Sequence, residues 1–203
     1  MSRLDKLKDR IDEIINNGYC LDIIENERLN RINPKEVKTP SPMPDMSFVK
    51  DAFLKDLENK LSSTSKYTLS GFINSKLGEC EQYRTKVQLA REARTTPQTI
   101  HNILSSKVTR PRKDTLIKLA FVLQLSPEDT QSMLGMAGHV FAKCNNRDII
   151  LYNLLQESYN DSLVKREPEK WADCYGRMEE ELTPYIIDEC LTYKNEKPLF
   201  GDW

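Results

Sequence analysis

The stretch from Thr85 to Leu104, TKVQLAREARTTPQTIHNIL, constrains the fold more than any other part of the chain. Leu89, Ala90 and Ala93 fall on one face of a short helix, Ile100 and Ile103 on one face of the next, and only Arg94 to Thr96 separate the two. Helices joined that tightly must cross steeply, and the small side chain of Ala90 lets them approach with nothing wedged between them. The second helix has a sharp start. Thr95 or Thr96 can accept from its free backbone amides, and Pro97 suits the first turn because its missing N–H would have gone unpaired. Gln98 stands three residues after Thr95, in capping-box spacing. With the two isoleucines turned inward, the outward face of this helix, residues 97–104, presents Gln98, Thr99, His101 and Asn102. Such short groups, able to donate and accept hydrogen bonds, suit the edges of nucleic-acid bases.

The rest of the chain reads as helical too. Only seven glycines among 203 residues, with 38% hydrophobic and 30% charged residues, favour an all-α protein over a sheet protein or a disordered tail. Breakers and periodicity divide it into an N-terminal helical segment (1–32, with Leu4, Leu7, Ile11, Ile14 and Ile15 at helical spacing) and a linker (33–46) in which Pro34, Pro40, Pro42 and Pro44 forbid regular structure. A connecting helix follows (47–68), then a unit of several short helices (69–142) and an acidic helical C-terminal region (143–203). In that last region the pattern predicts a helix around Asp148 to Gln156, a charged break at SLVKREPEK, a helix over Trp171 to Leu182, and a final one from about Pro184. No stretch is apolar enough to span a bilayer, and the charged N-terminus MSRLDKLKDR lacks the form of a secretory signal, so a cytoplasmic location without membrane contact is expected. Cys20, Cys80, Cys144, Cys174 and Cys190 are odd in number, widely spaced and without a CxxC pair, which argues for reduced thiols and against a disulfide framework or a zinc site.

Charge is segregated along the sequence. Residues 71–113 carry nine lysines and arginines against three glutamates, a net of +6, which leaves −7 for the remainder of a chain whose total is −1. A cationic module between acidic flanks is the footprint expected where one part of a protein meets a polyanion.

From Gly71 to Gly138 the sequence resembles the Cro/CI-type helix-turn-helix proteins, which include the lambdoid phage repressors and the bacterial XRE-type regulators. TKVQLAREA matches the first helix of the motif, TTPQTIHNIL the recognition helix, SSKVTRPRKDTLIKLAFVLQLS the loop and supporting helix, and PEDTQSMLGMAG the closing helix. The resemblance implies a five-helix lambda-repressor-like domain with helical extensions at both ends, reading the major groove of double-stranded DNA as a transcriptional regulator, repressor-like, of a bacterium or its phage. In that family the positions of Thr96, Pro97, Gln98, Thr99 and Asn102 face the groove, that of Lys86 lies beside a phosphate, and the loop from Ser106 to Arg112 runs along the backbone. Three positions depart from the common pattern: Arg94 replaces a frequent glycine, Pro97 a residue that often reads a base, and Leu104 a frequent glutamate. Base reading is therefore expected from Thr96, Gln98, Thr99, His101 and Asn102, and phosphate contact from Arg84, Lys86, Thr95, Ser106, Lys107, Arg110 and Arg112.

Catalysis is not expected. There is no GxGxxG, no phosphate loop, no HExxH and no strand pattern to hold a nucleophile, and His139 and Cys144 lack an orienting third group. No cofactor and no metal are called for. A single small domain of this kind covers too little DNA to define one site, so a homodimer is expected, paired through the N-terminal amphipathic helix or the C-terminal helices with Trp171, Tyr175, Tyr185 and Ile187. The terminal PLFGDW must either dock or be sticky. An alternative assigns the basic unit and the acidic flanks to an adaptor or antitoxin-like subunit of a bacterial toxin or defence complex, holding nucleic acid on one side and a protein on the acidic C-terminal region.

Overall fold

Most of the helices begin where a side chain can serve their unpaired amides; the one that starts at Lys113, after Arg112, does not. The computed structural model describes residues 2–17, 68–79, 85–142, 144–167 and 182–201. Every regular element in these residues is helical: α1 (Arg3–Asn16), α2 (Leu69–Glu79), α3 (Lys86–Glu92), α4 (Pro97–Leu104), α5 (Lys113–Val122), α6 (Pro127–Met136), α7 (Asn146–Arg166) and α8 (Pro184–Tyr193). Ser2 and Asp5 form a reciprocal capping box at α1, and Thr85, Thr96, Ser126, Asn145 and Thr183 cap α3, α4, α6, α7 and α8 through their side-chain oxygens. Thr68 accepts from the Gly71 amide at the start of α2. Prolines follow three of the caps, at Pro97, Pro127 and Pro184, where a missing N–H costs nothing.

Five helix exits share one device. Arg94, Ser106, Gln124, Gly138 and Asn195 all adopt positive φ, between 45° and 74°. At each, two reversed backbone hydrogen bonds close the last turn, as where the Thr95 amide donates to Ala90 O at 2.9 Å and the Arg94 amide to Arg91 O at 3.1 Å. This left-handed position usually falls to glycine, and here glycine fills one of the five.

Two features differ from the sequence expectation. The SLVKR portion of the presumed break continues α7 to Arg166, because Ser162 is buried and the cations Lys165 and Arg166 stand favourably against the negative end of the helix. The apolar row of α1, Leu7, Ile11 and Ile14, is not left for pairing with a second copy; it is buried where α1 packs on α8. Arg3 reaches Asp161 at 2.6 Å, Arg10 reaches Glu157, and the Tyr193 hydroxyl donates to Asp12 at 2.6 Å, fastening the two ends of the chain together. The C-terminal PLF docks. Leu199 and Phe200 are buried, their amides donate to Asp188 Oδ1 at 2.7 and 3.0 Å, and the Phe200 ring lies against Phe121. The linker 33–46 and the connecting helix expected over 47–68 lie outside the described residues, apart from Thr68; so does the helix expected over 171–182, apart from Leu182, which is not helical.

Residues 148–156 of α7 are buried on every side, so this helix is the mast against which α5, α6 and α8 pack. One continuous apolar cluster joins it to Leu89, Ala90, Ala93, Ile100 and Ile103. Burial of the two isoleucines contributes about 1.5–3 kcal/mol each and fixes which face of α4 remains outside. Among the described residues no helix is long and apolar enough to cross a membrane.

Candidate nucleic-acid interface

Arg94 makes the tight α3–α4 turn possible. At φ 45° it takes the left-handed conformation, so the chain reverses within the few residues between Glu92 and Pro97. Leu89, Ala90, Ala93, Ile100 and Ile103 then meet at 1% exposure or less. The far end of α4 is held by α2: Ser70 Oγ donates to Leu104 O, and Asn74 Nδ2 approaches the same carbonyl at 3.4 Å. Leu104 is itself buried, which accounts for an apolar side chain there.

Thr96, not Thr95, caps α4. Its Oγ1 accepts from the Thr99 amide at 3.1 Å and lies 2.8 Å from Thr99 Oγ1. The Thr95–Gln98 capping box expected from spacing does not form, because Gln98 lies in the first turn one residue short of the reciprocal position. Gln98 is instead free to reach along the helix, where its Nε2 donates to Asn102 Oδ1 at 2.8 Å. Thr96, Gln98 and His101 are exposed, while Thr95, Thr99 and Asn102 are half-buried. The base-reading candidates thus share the outer face of α4.

Cations border this face. Lys86 opens α3, and Lys107, Arg110 and Arg112 lie on the loop between α4 and α5; all four are exposed and, among the described residues, none enters an ion pair. Ser106 is exposed at the left-handed exit from α4 (φ 58°). Thr95, Thr99, Asn102, Arg110 and Arg112 line a groove of about 400 Å³ between α4 and that loop, so these two base-reading and three phosphate candidates come together. Arg84 lies outside the described residues.

Lys76 and Lys113, counted in the basic stretch, are engaged with other helices. Lys76 pairs with Asp129 at 2.9 Å. Lys113 turns inward, its Nζ 2.6 Å from Asp148 Oδ2 and 2.8 Å from Val140 O. Sequence reasoning also missed His139 as part of the site: its Nε2 lies 2.8 Å from the carbonyl oxygen of buried Pro111, between the two exposed arginines. No local signal marks that contact, which joins residues 28 apart. Among the described residues no group of three or more His, Cys, Asp or Glu could hold a metal ion.

Compared with known proteins, the chain matches no family model, no curated protein and no solved structure.

Proposed function

We propose that this chain is a sequence-specific DNA-binding transcriptional regulator, repressor-like. In this reading residues 69–142 act as a five-helix lambda-repressor-like domain of Cro/CI type that sets α4 into the major groove. The observation that carries the reading is the chemistry of one surface. The outer face of α4 holds uncharged amide and hydroxyl groups, and the cations on either side of it, Lys86, Lys107, Arg110 and Arg112, have no ion pair among the described residues. Neutral groups with directional hydrogen bonds discriminate bases, while unpaired cations on flanking loops neutralise phosphates and fix register. The molecule acts as a homodimer on two half-sites about 34 Å apart, one turn of duplex. Its pairing surface is not the apolar row of α1, which the chain buries within itself.

A salt titration tests the reading. Binding to a duplex from the gene's own upstream region, followed by fluorescence anisotropy, should weaken log-linearly with salt at a slope of about −0.9 for each phosphate contacted. Alanine at Lys86, Lys107, Arg110 or Arg112 should reduce that slope by about one each. Slopes identical in all four variants and the unmodified protein would refute it.

A further inference from the structure

The Gln98–Asn102 pair and the Thr96–Thr99 pair carry more chemistry than a generic polar face. Between Pro97 and Leu104 α4 holds no lysine or arginine, the residues that most often recognise guanine by donating to its two acceptors. The cations lie outside this helix, Lys86 at the start of α3 and Lys107, Arg110 and Arg112 on the loop that follows α4. Gln98 and Asn102 are joined at 2.8 Å, one amide donating to the other. Whichever way round the two amides are turned, the joined pair retains one wholly unpaired NH2 group and one wholly unpaired carbonyl oxygen on adjacent turns. Adenine presents one acceptor, N7, beside one donor, the N6 amino group, and so matches both. Guanine presents two acceptors, one of which would face the amide carbonyl, and cytosine a donor alone.

The threonines are constrained differently. Their hydroxyl oxygens lie 2.8 Å apart, and Thr96 Oγ1 also accepts from the Thr99 amide. Hydroxyls so engaged leave the γ-methyl groups as the available contact, and a methyl complements the C5-methyl of thymine.

We propose that α4 selects A·T base pairs, with the Gln98–Asn102 amide pair reading adenine and the Thr96–Thr99 methyls reading an adjacent thymine. This inference rests on the DNA-binding reading above. It is tested by selecting bound duplexes from a random-sequence library with the full chain, then replacing single bases in the selected site. A 7-deazaadenine at the read adenine should weaken binding about 10-fold in the unmodified protein and leave Gln98→Ala and Asn102→Ala unaffected. Uracil in place of the read thymine should weaken binding about 3-fold, an effect lost in Thr99→Ser, which keeps the hydroxyl and removes the methyl. His101→Ala should retain both sensitivities. Selected half-sites made of G·C pairs, or indifference of the unmodified protein to both replacements, would overturn the A·T assignment and leave the DNA reading standing. A library that shows no enrichment at any salt concentration would overturn both.

Discussion

His139 Nε2 lies 2.8 Å from the carbonyl oxygen of Pro111, fastening the turn that closes α6 to the residue between Arg110 and Arg112. A carbonyl only accepts, so the imidazole donates through Nε2–H. Pro111 is buried while the arginines on either side are exposed, which makes this contact an anchor for the loop that carries them. His139→Ala should therefore lower affinity for the upstream duplex and for random DNA by the same factor, about 3- to 10-fold, matching loss of one hydrogen bond of about 0.5–1.5 kcal/mol. His139→Gln should restore part of the loss. Anisotropy titrations on both duplexes measure the two losses, and a loss confined to one of them would show that His139 acts on sequence reading and not on the phosphate loop.

Ser106 holds the left-handed exit of α4 at φ 58° without the freedom of glycine. A side chain there costs about 1–2 kcal/mol, partly offset by the greater unfolded-state entropy of glycine. Ser106→Gly should raise stability by about 0.5–1 kcal/mol, equivalent to about 1–4 °C in Tm for a chain of this size. Ser106→Val should lower it by more, since a β-branched residue is the least tolerated at positive φ. Urea and thermal unfolding of the three proteins decide the matter; an unchanged midpoint in both variants would mean that the exit relaxes at no cost.

Lys113 and Arg112 are neighbours with opposite duties. Lys113 satisfies the buried Asp148 carboxylate, which also accepts the Ala142 amide at 2.6 Å, whereas Arg112 is exposed and makes no ion pair among the described residues. Removing the cation leaves a buried carboxylate short of a partner. Lys113→Met should thus destabilise the fold by about 1–3 kcal/mol, below the roughly 3–5 kcal/mol of fully buried pairs because Lys113 itself is partly solvated. Its salt slope for DNA should stay unchanged. Arg112→Ala should behave in reverse, with stability unaltered and the slope reduced by about one. Chemical denaturation and salt titration of both variants give the four numbers, and a fallen slope in Lys113→Met would contradict the assignment.

The contrast between these two residues explains what could be read from sequence. The bounds of α4 were legible because their causes are local: a threonine before a proline opens the helix, and Ile100 and Ile103 set its inner face. The joint between α3 and α4 was legible for the same reason. Lys113 was counted with the basic stretch because its partner stands 35 residues away, beyond the reach of any window. The apolar row of α1 showed that something must cover it but not that α8, at the other end of the chain, does so. The Lys165–Arg166 run was taken for a break, though cations at a helix end are equally a C-terminal signal; only the buried Ser162 distinguishes the two cases. The Thr95–Gln98 box failed because one residue of register separates two adjacent threonines with equal capping power.

Acid should loosen the junction of the chain ends at one residue first. Asp12 on α1 pairs with Lys194 and accepts the Tyr193 hydroxyl at 2.6 Å, and these partners, the Lys194 ammonium above all, hold its carboxyl below its ordinary value of 3.8. A carboxyl whose value is depressed by folding contributes stability that is present above the unfolded value and lost as pH falls through the folded one. Asp161, on the same α1-facing side of α7, moves the other way: burial raises its carboxyl despite Arg3, so its own contribution grows as pH falls through its folded value. The difference in stability between the unmodified protein and Asp12→Asn should consequently hold constant from neutral pH down to about 4 and close below 3.8. Thermal unfolding of both proteins across that range, at fixed ionic strength, measures the difference directly. A gap that closes between pH 6 and 8 would place the titrating group elsewhere, and a gap that never closes would mean that Asp12 acts through packing and not through its charge.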